Sequence, residues 1–155
     1  ELNGYVLFMT EDGADCFHCH GGSGNPLFTT NLFYNNGKDK VFNDPRDRFS
    51  VTGDSMDLGA YKATTLRNIE LTGPYMHDGR FKTLEQVIDF YSQGIIWSPY
   101  VHPLMHHAYD GGIQLTPTEK ADLVVFIKTL RDETFLTNPS FAAPAKLPDG
   151  SAVQY

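Results

Sequence analysis

The chain has 155 residues, a length that predicts a single domain with room for a sizeable hydrophobic core. Its formal net charge is −7, which argues against nucleic acids and anionic membrane surfaces as partners. No stretch reaches the ~18 apolar residues of a membrane span, so we expect no transmembrane segment. Since the first residue is Glu1 and not methionine, we also expect a processed or cut product.

Residues 2–13 are predicted to form the first helix. Their apolar side chains have roughly helical spacing: Leu2, Tyr5, Val6, Phe8 and Met9. The Asp12-Gly13 pair is expected to end this helix. Gly4 would let a second helix approach closely, and Met9 is interpreted as a core residue and not as a ligand.

Residues 16–20 have the sequence Cys-Phe-His-Cys-His, the C-x-x-C-H signature of c-type haem attachment. Cys16 and Cys19 lie on one side of a single helical turn, so both thiols can reach the vinyl groups on one edge of a porphyrin. His20 follows directly, and its imidazole is then placed to bind the iron as the proximal ligand. His18 is the variable residue of the motif and is interpreted as solvent-facing.

Three other chemistries are open to two cysteines at this spacing. A redox dithiol is expected in a βαβ setting without the following histidine. A zinc site would need two more ligands, and the chain has only 2 cysteines. A disulfide between Cys16 and Cys19 is uncommon. The motif therefore favours one covalent haem c. It also predicts a periplasmic, exported protein, because covalent haem attachment takes place outside the bacterial cytoplasmic membrane.

The rest of the chain alternates between irregular segments and helices. Residues 21–60 are rich in glycine, asparagine and aspartate with aromatic residues between them, which predicts a long loop covering a flat apolar group. Residues 83–92 and 116–132 are predicted helices that begin with capping boxes, Thr83 with Gln86 and Thr116 with Glu119. The expected apolar face of the last helix comprises Leu123, Phe126, Ile127 and Leu130.

Residues 95–115 are predicted to be irregular. Three histidines in this segment, at positions 102, 106 and 107, are interpreted as mostly solvated. Trp97 is interpreted as a packing residue in preference to an electron relay. Residues 133–155 are rich in proline and alanine and predict an extended carboxy-terminal tail, which leaves residues 1–132 as the domain.

The segment 61–82 and the helix after it carry a family likeness. They contain the run TLRN, then LT-x-PYMHDGRF, then TLE-x-V-x-x-FY. These blocks resemble the carboxy-terminal haem domain of the bacterial di-haem cytochrome c peroxidases, and equally the relatives that build tryptophan tryptophylquinone during methylamine utilisation. The likeness covers about residues 2–132. Thr64 departs from the pattern, since the family often has proline there.

The resemblance implies a mainly α, class I cytochrome c fold around one covalently bound haem, with long loops. In that fold the first and last helices cross, so Gly4 and Phe8 should meet Phe126 and Leu130. In the family, the first domain carries the haem that meets hydrogen peroxide, and the second passes electrons to it. This chain matches the second domain.

The implied partners are an amino-terminal haem domain of the same polypeptide and a small redox protein as electron donor. The chain alone is not expected to be a fully active peroxidase. The alternative interpretation is a free-standing mono-haem cytochrome c that carries electrons, and a third is a haem sensor module.

The resemblance also implies roles for single residues. Arg67 matches a candidate partner of a haem propionate, with an ordinary surface ion pair as the alternative. Thr72 and Pro74 match positions whose main-chain carbonyls bind calcium between the two domains. Tyr91 follows Asp78 by thirteen residues, where the peroxidases have a ligating methionine and the quinone-forming relatives a ligating tyrosine. Tyr91 is therefore the preferred sixth ligand, and Met105, in the loop after the helix, is the alternative.

Overall fold

The structure, a computed structural model, describes residues 1–144 and 146–152. Within these residues the fold is mainly α, as predicted, and has a single two-stranded antiparallel sheet. The helices are α1 (Leu2–Met9), α2 (Phe17–His20), α3 (Phe49–Thr52), α4 (Leu84–Gln93), α5 (Pro117–Lys128) and α6 (Glu133–Thr137). The strands are β1 (Phe33–Tyr34) and β2 (Tyr61–Lys62). Every described helix is too short or too polar to cross a membrane.

The first helix is shorter than the sequence predicts. It ends at Met9, where Thr10 adopts an extended backbone, and not at Gly13. The chain then folds back, and the Ala14 amide donates to the Leu7 carbonyl at 2.6 Å. Gly13 is needed for this return, because a Cβ on it would lie 2.6 Å from the same carbonyl oxygen. The fold-back places the C-x-x-C-H segment directly beside the end of α1.

The predicted crossing of the first and last helices is confirmed. A Cβ on Gly4 would lie 2.8 Å from Cβ of Phe126, so the backbone of α1 approaches α5 at this point as only glycine permits. Phe8 is fully buried and meets Phe126 edge to face, with 5.4 Å between the ring centroids. Leu130 belongs to the same buried cluster. This crossing forms the centre of the hydrophobic core.

Both predicted capping boxes are present, one at the start of α4 and one at the start of α5. In each, the threonine side chain accepts from the backbone amide three residues on, and the partner side chain accepts from the threonine amide. Helix α5 ends at Lys128, before the predicted residue 132. Its final turn tightens there, because Thr129 and Leu130 donate to the Phe126 and Ile127 carbonyls three residues earlier.

The long segment 21–60 is more ordered than predicted. It contains β1, α3 and a 3-10 helix at Ser55–Asp57, and β1 pairs with β2 so that Tyr34 lies opposite Tyr61. The Asp47 carboxylate accepts from the amides of Ser50 at 3.1 Å and Gly59 at 2.9 Å. Strands of two residues have no alternating pattern, so periodicity could not have revealed them.

The carboxy-terminal segment carries short helices. Besides α6 there is a 3-10 helix at Pro139–Phe141, and Phe135 stacks on Phe141 with 5.0 Å between ring centroids. Asp132 caps α6 by accepting from the Phe135 amide at 3.0 Å. Residues 145 and 153–155 of the predicted tail lie outside the described residues. The domain boundary at residue 132 stays a prediction.

We predict that Gly4→Ala destabilises the haem-loaded protein by about 1–3 kcal/mol, because the added methyl group overpacks the contact between α1 and α5. Urea unfolding followed by circular dichroism measures the change. The matched control is Leu2→Ala in the same helix, where the replaced side chain is 76% exposed. Equal stability of Gly4→Ala and the parent protein would show that the helices do not depend on this close approach.

Candidate haem site

A large cavity, of about 650 Å³, lies among α1, α4, α5 and the irregular segments between them. This volume is in the range of cofactor sites. Much of its wall is apolar, with Phe8, Leu66, Ile69, Leu84, Val87, Ile88, Ile95, Ile113 and Ile127 among the lining residues. All the predicted haem-contacting side chains line it: Cys16, Cys19, His20, Arg67, Tyr91 and Met105. The residues that the sequence assigned to haem are therefore brought together around one cavity.

The two cysteines occupy one helical turn at the edge of this cavity, on and just before α2. Both are free, and Cys16 Sγ donates to the Ala14 carbonyl at 3.4 Å. Burial raises the pKa of each thiol to about 12. A redox dithiol needs a thiolate near neutral pH, so these protonated thiols argue against that alternative. They suit attachment to the vinyl groups of a haem.

His20 is oriented for iron binding by one hydrogen bond. Its Nδ1 lies 3.2 Å from the Thr64 carbonyl oxygen, and because a carbonyl can only accept, Nδ1 carries the proton. Nε2 then has a free lone pair, the usual arrangement of a metal-binding histidine. Burial lowers the pKa of His20, which favours the neutral, ligating form. Since Thr64 acts through its main chain, its departure from the proline of the family leaves this contact intact.

Two neighbouring threonines fasten the long loop, one to the motif and the other to the residue after β2. Thr30 Oγ1 donates to the Cys19 carbonyl at 2.8 Å and lies 2.8 Å from the Tyr34 hydroxyl, which then donates to it. Thr29 Oγ1 donates to the Ala63 carbonyl, next to Thr64. These bonds connect α2 to both strands, so the loop helps to fix the position of His20.

Tyr91 projects from α4 into the cavity, where Asn36 Nδ2 donates to its hydroxyl oxygen at 3.0 Å. The same amide lies 3.8 Å from Sδ of Met76, which also lines the cavity. Burial raises the pKa of Tyr91 to about 12, and the hydrogen bond from Asn36 opposes that rise. Asn36 is therefore placed to stabilise a phenolate once a metal displaces the proton.

Neither Asn36 nor Met76 was predicted to contribute to the site. Asn36 lies in the irregular segment, where no periodic pattern distinguishes one asparagine from another. Met76 has a positive φ of 69°, an uncommon conformation, and its side chain packs against the same buried cluster as Tyr91 and Met105. The structure thus places three candidate iron ligands, one hydroxyl and two thioethers, close together on α4 and the loops around it.

Arg67 lines the cavity and at the same time makes an ion pair, with Nη2 2.7 Å from Oδ2 of Asp132. The alternative interpretation, an ion pair, is therefore present, and the contact with a propionate stays a prediction. Thr72 and Pro74 also line the cavity.

Trp97 is 46% exposed and stacks on Tyr109, with 5.0 Å between the ring centroids.

A charged network holds the turn at residues 77–80 beside the cavity. The Lys38 side chain is only 4% exposed and lies 2.7 Å from Asp39 and 3.0 Å from Asp78. Arg80 pairs with the same two carboxylates, at 2.9 Å and 2.7 Å. Although burial works against it, these hydrogen bonds lower the pKa of Asp78. His77 stacks flat on Tyr61, with 3.6 Å between the ring centroids.

One histidine prediction was wrong. The His18 side chain, predicted to face solvent, is 19% exposed, and its Nδ1 lies 2.5 Å from Oδ1 of Asp15. His106 is exposed, in agreement with its prediction, and directs Nδ1 toward Oδ2 of the same aspartate at 3.5 Å. Asp15 is the physical reason, because its side chain is 5% exposed and both imidazoles gather around the buried carboxylate.

No protein-family model matches the chain. The cytochrome c551 peroxidase of Nitrosomonas europaea is 33% identical over 158 residues, which cover 97% of this chain and 39% of that protein. The methylamine utilization protein MauG of Methylorubrum extorquens is 33% identical over 131 residues, covering 84% of this chain and 34% of that protein.

A similar solved structure is that of a MauG-like protein associated with microbial copper homeostasis. Its TM-score is 0.76 at 36% identity, and the match covers 94% of this chain and 50% of that one. The chain thus spans half or less of the length of each of these three relatives. In sequence and in fold, the chain belongs to the family of the bacterial cytochrome c peroxidases and the MauG-type methylamine utilization proteins.

Proposed function

We propose that this chain is the c-type haem electron-transfer domain of a di-haem, cytochrome c peroxidase-like protein, with a class I cytochrome c fold over residues 1–132. The observation that carries the proposal is the wall of the large cavity. It brings together two half-buried thiols, a histidine with a free Nε2, and Tyr91 with its hydrogen-bond donor. One covalent haem c accounts for all three features.

When bound, the haem supplies reversible one-electron chemistry at its iron. The chain would hold it through Cys16 and Cys19, and His20 would bind the iron while Thr64 fixes the ring orientation. The apolar wall would exclude water from the porphyrin faces. Arg67, at the wall and paired with Asp132, would contribute a positive charge toward a propionate. These roles suit transfer of electrons more than chemistry on a substrate.

Tyr91 is the sixth ligand that we prefer, with Met105 as the alternative. Tyr91 lies on a helix whose start is fixed by a capping box, whereas Met105 lies in an irregular segment. The Asn36 amide would stabilise the phenolate. An anionic phenolate favours ferric over ferrous iron and lowers the potential relative to a thioether, which suits a protein that reaches highly oxidised states.

This chain covers only 39% and 34% of the two curated relatives, which supports the proposal that the full-length protein has a further domain. We place this chain at the carboxy-terminal end, with an amino-terminal domain that carries a peroxide-reactive haem. A small redox protein would donate the electrons. The main-chain carbonyls of Thr72 and Pro74 could contribute to a calcium ion completed by that other domain. Covalent haem attachment would place the protein in the periplasm.

A free-standing mono-haem electron carrier is the competing function. A redox titration of the full-length protein, with and without hydrogen peroxide, distinguishes the peroxidase-like function from the carrier function. A peroxidase-like protein should oxidise its haems when peroxide is added and then be reduced again by a donor cytochrome. A carrier should remain six-coordinate and unchanged by peroxide in both redox states, and that result would refute the proposal.

We predict that the haem is covalently attached. Denatured protein should keep its haem through acid–acetone extraction, because two thioether bonds would hold it. The Cys16→Ala, Cys19→Ala double variant should lose the haem in the same extraction. Free extraction of haem from the unaltered protein would contradict the proposed attachment.

We predict that Tyr91→Phe changes the ferric absorption spectrum and raises the midpoint potential, because the phenolate is lost. Tyr109→Phe is the matched control, since that tyrosine is 78% exposed and lies outside the cavity wall. A methionine–iron charge-transfer band in the parent protein, lost in Met105→Ala and kept in Tyr91→Phe, would instead assign the ligand to Met105.

We predict little peroxidase turnover from this chain alone, because the proposed peroxide-reactive haem lies on another domain. Steady-state oxidation of a reduced cytochrome c by hydrogen peroxide measures it, with the full-length protein as the reference. Equal turnover by the isolated chain would mean that its single haem is itself peroxidatic.

A further inference from the structure

A second cluster of metal-binding side chains lies beside the haem motif. Asp15, His18 and His106 each offer one ligand atom, and these atoms lie within 4.8 Å of one another. Asp15 and His18 flank Cys16, whereas His106 comes from the irregular segment between α4 and α5. The cluster therefore joins two parts of the chain that are 88 residues apart, from position 18 to position 106.

Two atoms at the centre of this cluster have no hydrogen-bond partner of good geometry among the described residues. Oδ1 of Asp15 and Nδ1 of His18 are both buried and unsatisfied, although they lie 2.5 Å apart. Burying such groups without a partner is costly, and unless a proton or a cation lies between them, their facing lone pairs repel each other. A positive charge between the two atoms would satisfy both.

Glu11 favours the histidine tautomer that a metal requires. Its Oε1 lies 3.5 Å from Nε2 of His18, on the other side of the ring. A proton on Nε2 would face this carboxylate and leave the lone pair of Nδ1 directed at Asp15. The carboxylate–histidine–metal arrangement has this form in many proteins, with the outer carboxylate fixing the ring.

We propose that Asp15, His18 and His106 form a binding site for a divalent first-row transition-metal ion. Two imidazole nitrogens and one carboxylate oxygen are the donors that such ions prefer, and Zn²⁺ takes them at about 2.0–2.2 Å. His106, whose side chain is 44% exposed, gives the ion a path from solvent. Nothing in the proposal depends on the peroxidase-like function.

The site lies at the edge of the haem cavity, since Asp15 and His106 also line that cavity. A bound divalent cation would place positive charge beside the haem and favour the reduced over the oxidised iron. The metal would therefore raise the haem potential. Metal binding can therefore be measured directly and also through the shift of the haem midpoint potential.

The test uses the haem-loaded protein and Zn²⁺ as the probe. Equilibrium dialysis with elemental analysis should give one Zn²⁺ per chain. Zinc-edge X-ray absorption should show nitrogen and oxygen neighbours at about 2.0–2.2 Å and no sulfur. The midpoint potential should rise when Zn²⁺ is added. No stoichiometric binding, or sulfur in the zinc shell, would overturn the proposal and leave a shared proton as the cause of the close contact.

His106→Ala should weaken Zn²⁺ binding by about tenfold or more, because losing a ligand should cost at least as much as losing its supporting partner. The matched control is His107→Ala, the adjacent histidine, which does not belong to the cluster and should bind Zn²⁺ as the parent does. Haem absorbance and far-ultraviolet circular dichroism verify that both variants are folded. Equal Zn²⁺ affinity of His106→Ala and His107→Ala would refute the assignment of the ligands.

Discussion

The fold depends on filling one large apolar cavity. The cavity of about 650 Å³ is lined largely by apolar side chains, and leaving that surface without packing partners would forfeit contacts that stabilise a core. The helices supply only part of the wall, and irregular segments supply the rest. A flat apolar cofactor that contacts all of them would therefore be a structural element of the domain as well as its proposed redox centre.

The crossing of α1 and α5 and the C-x-x-C-H motif are held together by a connected set of contacts. Gly4 lets α1 touch α5, and the fold-back at Gly13 then carries the chain directly into Cys16. Thr30 ties the motif to the long loop, while the Thr64 carbonyl orients His20. Because these contacts join α1, α5, the motif and the loops around it, moving His20 would require several of them to break together. Such rigidity suits an electron-transfer site, where ligands should move little between redox states.

The parts of the structure with local signals could be predicted from sequence. The capping boxes at Thr83 and Thr116 were predicted because cap chemistry is local, and the crossing at Gly4 because the resemblance supplied the topology. The short strands, the hydrogen bond from Asn36 and the burial of His18 depend on contacts between distant segments. No local pattern encodes those contacts. The candidate ligands were likewise identified by type and position, whereas their hydrogen-bond partners required the structure.

The choice of sixth ligand follows from where each donor atom is anchored. Met76 and Met105 lie on irregular segments, and a flexible thioether there can adapt its position with little resistance. Tyr91 lies on α4, which packs on α5, and its hydroxyl is already held by Asn36. A donor on a rigid helix with a fixed hydrogen-bond partner loses less conformational entropy when it binds a metal. The same amide faces Met76 Sδ but can do little for a thioether, because sulfur is a weak acceptor. The surroundings of the three donors therefore favour the tyrosine, and this supports the proposal that the domain works at low potential.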